Sequence, residues 1–390
     1  MSSRKGPSAA DRQLIDHAQR HGFTVTAKQL ATWRRSMLLP GNILGRGLGR
    51  GRGRTSRPAP ESFDLVLGLA SHAGTGKRPS DLALLLFAEG LPVPEMTVRE
   101  AFRAAVAFTV PGEDDNPERD PEERLDRLGA HLSVGGQVVT LVPARARRID
   151  ERVARILREA ASAWPPAELA DLDHKPESAS LTPEGATLTA YGATLNGSLS
   201  IDEIGIVLRA LAPELPVNPI ASLVETTGDI PDVAAQILNT DSALAFLPSG
   251  DVRDHLRHLA HTAPLGNLAA AWDAAQRVRT WALNLCERIE TELEAGRPGE
   301  AFEEWLRGRQ TMSGLAVLEA LRDRRWSPSK GALSALVLLF QREQFDLLDG
   351  LVPGCQWHLL KTPGMLPPPI RDLLKDLIDQ EPASTEPVTD

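Results

Sequence analysis

The chain has 390 residues, 42% of them hydrophobic and 4% aromatic; that length suits two or three domains, and cores resting on Leu, Val, Ile and Ala favour helices. Its two cysteines, Cys286 and Cys355, lie far apart with no CxxC neighbour, which argues against a disulfide framework and a cysteine-rich zinc site. The net charge of −9 is uneven: residues 1–60 hold twelve Lys/Arg against Asp11 and Asp16, a net +10 that leaves −19 for the rest, the footprint of a basic nucleic-acid-binding part on an acidic body.

The opening MSSRKGPSAADRQ lacks an apolar run, and the most hydrophobic stretches, Leu82–Phe87 and Leu336–Phe340, fall far short of the roughly 18 residues a membrane span needs. A cytoplasmic protein with no membrane segment is expected. Leu14–Arg20 reads as a short helix ending at Gly22. The pattern Thr26-Ala-Lys-Gln29 is a capping box opening a second helix, predicted to run to Leu39 and to be stopped by Pro40-Gly41. The intervening HGFTVT has about the turn length of a helix-turn-helix. Ala27, Leu30, Trp33, Met37 and Leu38 recur at helical spacing, leaving Lys28, Arg34 and Arg35 to solvent or DNA.

Residues 41–60 contain no acid and five arginines, Arg46, Arg50, Arg52, Arg54 and Arg57, set among glycines; they cannot form a regular helix. Helices are expected over Glu61–Ser71, Pro79–Glu89 and, from the box Thr97-Val-Arg-Glu100, Thr97–Phe108. The acidic, proline-punctuated residues 111–126 read as a domain boundary. Val134–Val142 has the composition of a short hairpin, a helix follows over Arg148–Trp164, and residues 171–200 read as linker. From Ile201 onward the pattern is helical: Ile201–Leu211, Asp232–Asn239, Val252–His261, Leu268–Glu294, Pro298–Arg307, Ser313–Arg322, Gly331–Gln341 and Pro369–Ile378, with a disordered tail after them.

Several motifs carry chemistry only superficially. Gly68–Arg78 resembles a phosphate-binding loop, but Ser71 stands where its first glycine belongs and Arg78 where Ser/Thr would hold magnesium; it reads as a helix-helix turn, with Lys77 and Arg78 near DNA phosphates. His255, His258 and His261 are metal-ligand types, but steps of three residues spread them over about 120° of a helix, so a histidine-bearing surface is expected and no metal. Trp272, Trp281, Trp305, Trp326 and Trp357 read as core packing ahead of a ligand pocket. Glu287–Glu294, Glu303 and Glu304 read as a solvated charged face with partners such as Arg288. No nucleophile elbow, HExxH pair or paired carboxylates occur, so neither catalysis nor a cofactor is expected.

Leu30-Ala-Thr-Trp33-Arg-Arg35-Ser-Met37-Leu-Leu-Pro40 resembles the recognition-helix end of MerR-type winged helices. On that resemblance Trp33 takes the aromatic position, Arg35 a phosphate-facing one, and Leu38, Leu39 and Pro40 lead into a glycine-containing wing followed by two helices. Met37, Ala31 and Thr32 stand where that family carries glycine, arginine and tyrosine. The likeness covers residues 12–108, about a quarter of the chain, and implies a module that docks on double-stranded DNA. The candidate contacts are Thr26, Lys28, Gln29, Trp33, Arg34 and Arg35 on the helix, and Arg46, Arg50, Arg52, Arg54 and Arg57 on the wing. Lys28, Gln29 and Arg34 are the candidates for base edges, because a helix fits the major groove; the wing arginines are candidates for phosphates or a narrow minor groove.

The expected architecture is mainly α: a winged helix-turn-helix over 1–110, an acidic linker over 111–126, a small mixed segment over 127–200, a helical domain over 201–380 and a tail over 381–390. The expected function is sequence-specific DNA binding in transcription regulation, with a body that senses, oligomerises into a homo-oligomer or contacts a protein partner. The alternative is a non-catalytic assembly protein whose basic region tethers nucleic acid nonspecifically.

Overall fold

The computed structural model describes residues 7–47, 54–74, 77–106, 143–161, 201–211, 252–308, 311–322, 326–351 and 360–374, with positions 133–134, 137–138, 221 and 357. The described residues are mainly helical, as the composition anticipates, with two small antiparallel hairpins. They fall into two compact units, and neither is one stretch of sequence. The first unites 1–107 with 256–273 and 326–337; the second holds 108–255, 274–325 and 338–390. The helical segment expected as one domain over 201–380 is thus divided between them.

In the first unit, α1 (Ala9–Arg20) begins five residues ahead of the expected Leu14. The cause is Ser8: its hydroxyl accepts from the Asp11 amide at 3.1 Å, while the Asp11 carboxylate accepts from the Ser8 amide at 3.4 Å, a reciprocal cap that satisfies the first turn. Helix α2 (Ala27–Arg35) starts as expected from Thr26 but ends four residues short of Leu39. Pro40-Gly41 is not what stops it. The Leu38 amide donates to the Trp33 carbonyl at 2.9 Å and the Met37 amide to Arg34 at 3.0 Å, a Schellman turn that needs a left-handed residue; Met37 supplies it at φ 54°.

Strands β1 (Ile43–Gly47) and β2 (Arg54–Arg57) then pair antiparallel, Ile43 opposite Arg57 and Leu44 opposite Ser56, with a bulge before Gly47 meets Arg54. Helices α3 (Ser62–His72), α4 (Pro79–Ala88) and α5 (Glu95–Ala105) follow. Gly68 lies inside α3, where an added Cβ would overlap Leu91 and Leu86 side chains; it is a packing glycine within a helix, so the resemblance to a phosphate loop ends there. The expected capping box at Thr97 does not form. Helix α5 opens two residues earlier, after Pro94, and the buried Thr97 hydroxyl donates to the Met37 carbonyl at 2.9 Å.

Later segments complete this unit. The Arg99 guanidinium donates to the carbonyls of Ala263 at 3.0 Å and Ala260 at 3.3 Å, satisfying carbonyls at the end of a helix over Val252–Thr262 (α8). Phe102, fully buried, meets Phe87 and Trp272 edge-on at centroid distances of 5.7 and 6.2 Å. The Ser329 hydroxyl donates to Asp81 at 2.8 Å, and Gly331 makes room for Trp272 and Trp326, which an added Cβ would meet at 2.9 Å.

The second unit contains a two-residue-per-strand hairpin, β3 (Ser133–Val134) with β4 (Gln137–Val138), which overlaps the start of the expected Val134–Val142 segment. Its helices include α6 (Ala144–Ala161), α7 (Ile201–Leu211), α10 (Glu300–Gly308), α11 (Met312–Arg322) and α13 (Pro368–Leu373). Helices α9 (Leu265–Glu294) and α12 (Pro328–Leu351) contribute to both units. Ile149, Val153, Leu285, Ile289, Phe302 and Trp305 form the heart of its core. The expected joint over 111–126, linker over 171–200, helix over Asp232–Asn239 and C-terminal tail lie outside the described residues.

Candidate nucleic-acid interface

The exposed surface of α2 is set by what its other side buries. Leu30 and Trp33 are buried, which fixes the rotation of the helix and turns Lys28, Ala31, Thr32 and Arg35 to solvent. Lys28 and Arg35 therefore sit where the sequence placed them. Trp33, expected as a DNA contact, is 5% exposed and is core; an aromatic so placed shapes the helix packing and offers nothing to a duplex.

Three other expected contacts, Thr26, Gln29 and Arg34, are already engaged. The Gln29 side-chain oxygen accepts from the Thr26 amide at 2.8 Å and from the Thr26 hydroxyl at 2.9 Å, while the Gln29 amide donates back to that hydroxyl at 3.2 Å. The oxygen that bidentate recognition of adenine requires is committed to the cap. Arg34 pairs with Asp11 at 2.7 Å and donates to the Asn42 side chain at 2.9 Å. It thereby ties the start of α1 to the residue that enters the hairpin. Burial works against the Asp11 carboxylate, but hydrogen bonds from Ser8 and Arg34 and the Arg34 charge hold it below the usual range.

On the hairpin, Arg57 is exposed at the end of β2. Arg46 and Arg54 belong to β1 and β2 by backbone, and their side chains, together with Arg50 and Arg52 in the connection, lie outside the described residues. Lys77 and Arg78 are exposed just before α4. Behind this surface, His17 packs against His21 and edge-on against Phe63. Burial, with the nearby His21 and Arg20 charges, lowers its pKa against the opposing Asp64 charge.

Sequence reasoning passed over Ala31 and Thr32 as contact residues. The signal was present as the complement of the Leu30/Trp33 stripe: positions 28, 31, 32 and 35 share the opposite face. Elsewhere, His255 pairs with Glu343 at 2.7 Å, and among the described residues no group of three His, Cys, Asp or Glu is placed to hold a metal ion. The indole N–H groups of Trp281 and Trp305 donate to Glu304 at 2.8 Å and Asp150 at 2.9 Å, consistent with packing roles. Among the described residues no helix is long and apolar enough to cross a membrane. No protein-family model, curated protein or solved structure matches the chain.

Proposed function

We propose that the chain is a sequence-specific DNA-binding protein with a MerR-like winged helix-turn-helix at its N-terminus, acting in transcription regulation, with the remaining helical unit as its sensing or oligomerising part. The observation that carries this reading is the hairpin Ile43–Arg57, which directly follows a two-helix turn and precedes two packed helices, in the order and position expected of a wing. Exposed Lys28 and Arg35 on α2 and Arg57 on the hairpin add the cations a duplex backbone attracts.

The full chain should bind random-sequence duplex at low salt, with log affinity falling linearly against log salt. Replacing Lys28, Arg35 or Arg57 by Ala should each lessen that slope by about 0.9 if the side chain neutralises one phosphate. Selection from a random pool separates a regulator from a tether: a regulator returns a motif, whereas an unselective pool supports nonspecific tethering. Slopes unchanged by all three substitutions would remove α2 and the hairpin from the interface.

A further inference from the structure

Lys28, Ala31, Thr32 and Arg35 follow an i, i+3, i+4, i+7 spacing, so they occupy about 100° of arc on one face of α2. All four are exposed. The two cations stand about 10.5 Å apart along the helix axis, and between them lie only short side chains. That profile lets the helix backbone approach a groove floor closely, where longer residues would hold it away. The Thr32 hydroxyl donates to the Lys28 carbonyl at 3.0 Å. Its proton is thus used within the helix, which leaves the oxygen lone pairs and the γ-methyl for an outside partner, and of these only the methyl suits an apolar feature.

Resting on the DNA-binding reading above, we infer that α2 reads a thymine in the major groove through the Thr32 methyl, with Ala31 giving clearance and Lys28 and Arg35 gripping the duplex on either side. The 5-methyl of thymine is the one apolar feature the major groove presents, and a Thr methyl is a suitable partner for it. Gln29 and Arg34 are the residue types that usually read adenine and guanine bidentately, but the Gln29 side-chain oxygen is held in the Thr26 cap and the Arg34 guanidinium by Asp11 and Asn42. The specificity of this helix then rests on a methyl contact flanked by charge.

The test uses the full chain and the duplex it selects from a random pool. Each thymine of that site is replaced in turn by deoxyuridine, which lacks only the 5-methyl. At one or more positions the replacement should weaken binding about fourfold, the loss of one buried methyl. Thr32→Ser, which keeps the hydroxyl and drops the methyl, should weaken the normal site by a similar factor and abolish the deoxyuridine effect; Thr32→Val should bind as the parent does. Indifference to deoxyuridine at every thymine, or a Thr32→Val variant that loses affinity while Thr32→Ser keeps it, overturns the inference and leaves duplex binding standing. A pool with no preferred sequence also overturns it, with only tethering left. Failure to bind any duplex at low salt overturns this inference and the DNA-binding reading together.

Discussion

Met37 occupies a conformation that L side chains rarely adopt. The helices ending at Arg20, Ala88 and Glu294 each turn out on a glycine, Gly22, Gly90 and Gly296, with φ between 64° and 84°, whereas the corresponding position after α2 is Met37 at 54°. A left-handed residue with a Cβ costs about 1 kcal/mol, and the Met37 side chain is 57% exposed, so little packing offsets it. Met37→Gly should therefore stabilise the chain by about 0.3–1 kcal/mol after allowing for the added freedom of glycine in the unfolded state, read as a higher urea midpoint. At the same scale, burial pushes the Cys286 thiol up to about 12. Thiolate is the reactive form, so Cys286 should stay unlabelled by an alkylating reagent in the native chain at pH 8 and react only after denaturation, as followed by peptide mass spectrometry.

At the scale of an element, the start of α10 shows how a residue on one helix completes another. The Glu292 carboxylate, near the end of α9, accepts from the amides of Gly299, Phe302 and Ala301 at 2.9, 2.9 and 3.0 Å. Burial would raise its pKa, but these backbone hydrogen bonds and the Arg288 charge bring it below the ordinary glutamate value of 4.5. A depressed carboxylate contributes stability above the unfolded-state pKa and loses it as pH falls through the folded one. Glu292→Ala should cost about 1–2 kcal/mol at pH 7, and the gap between variant and parent should close progressively below about pH 4.5; a gap independent of pH would show that charge is not involved. In the sequence Glu292 is one of a run of acids with helix-surface spacing. The spacing was legible, yet nothing local indicates that the next helix folds back onto it. The same limit applies to Glu290, which Arg145 engages through two hydrogen bonds at 2.9 and 2.7 Å from 145 residues away. By contrast the Thr26–Gln29 box was readable because both partners lie within one turn.

For the whole molecule, the basic N-terminal region does not close its own core. Phe102 packs edge-on against Trp272, Arg99 caps the end of α8, and Asp81 holds Ser329, so residues 256–273 and 326–337 belong to the same unit as 1–107. A fragment ending at residue 107 should retain the local caps of α1 and α2 but lose the cover over α5. Amide hydrogen exchange across Glu95–Ala105 should then be markedly faster in the fragment than in the full chain; equal protection in both would mean that the later segments add nothing to this unit's stability. These contacts join residues 256–273 to α5, whose Thr97 in turn donates to the Met37 carbonyl at the exit of α2.

Composition and periodicity by themselves determined the helical class, most helix positions, the turn between α1 and α2, and the break that the hairpin fills, because caps, apolar stripes and glycine-arginine runs act over a few residues. Tertiary structure decided which of the expected contact residues remain available. Trp33 is consumed by the core, Gln29 by its cap and Arg34 by Asp11 and Asn42, while Ala31 and Thr32 gain exposure beside Lys28 and Arg35. It also decided that two segments from beyond residue 250 finish the N-terminal unit. The physical reason is range: a hydrogen bond between neighbours in sequence is written in the spacing of the residue types, but a contact across 150 residues depends on which surfaces remain unburied once the local elements have formed.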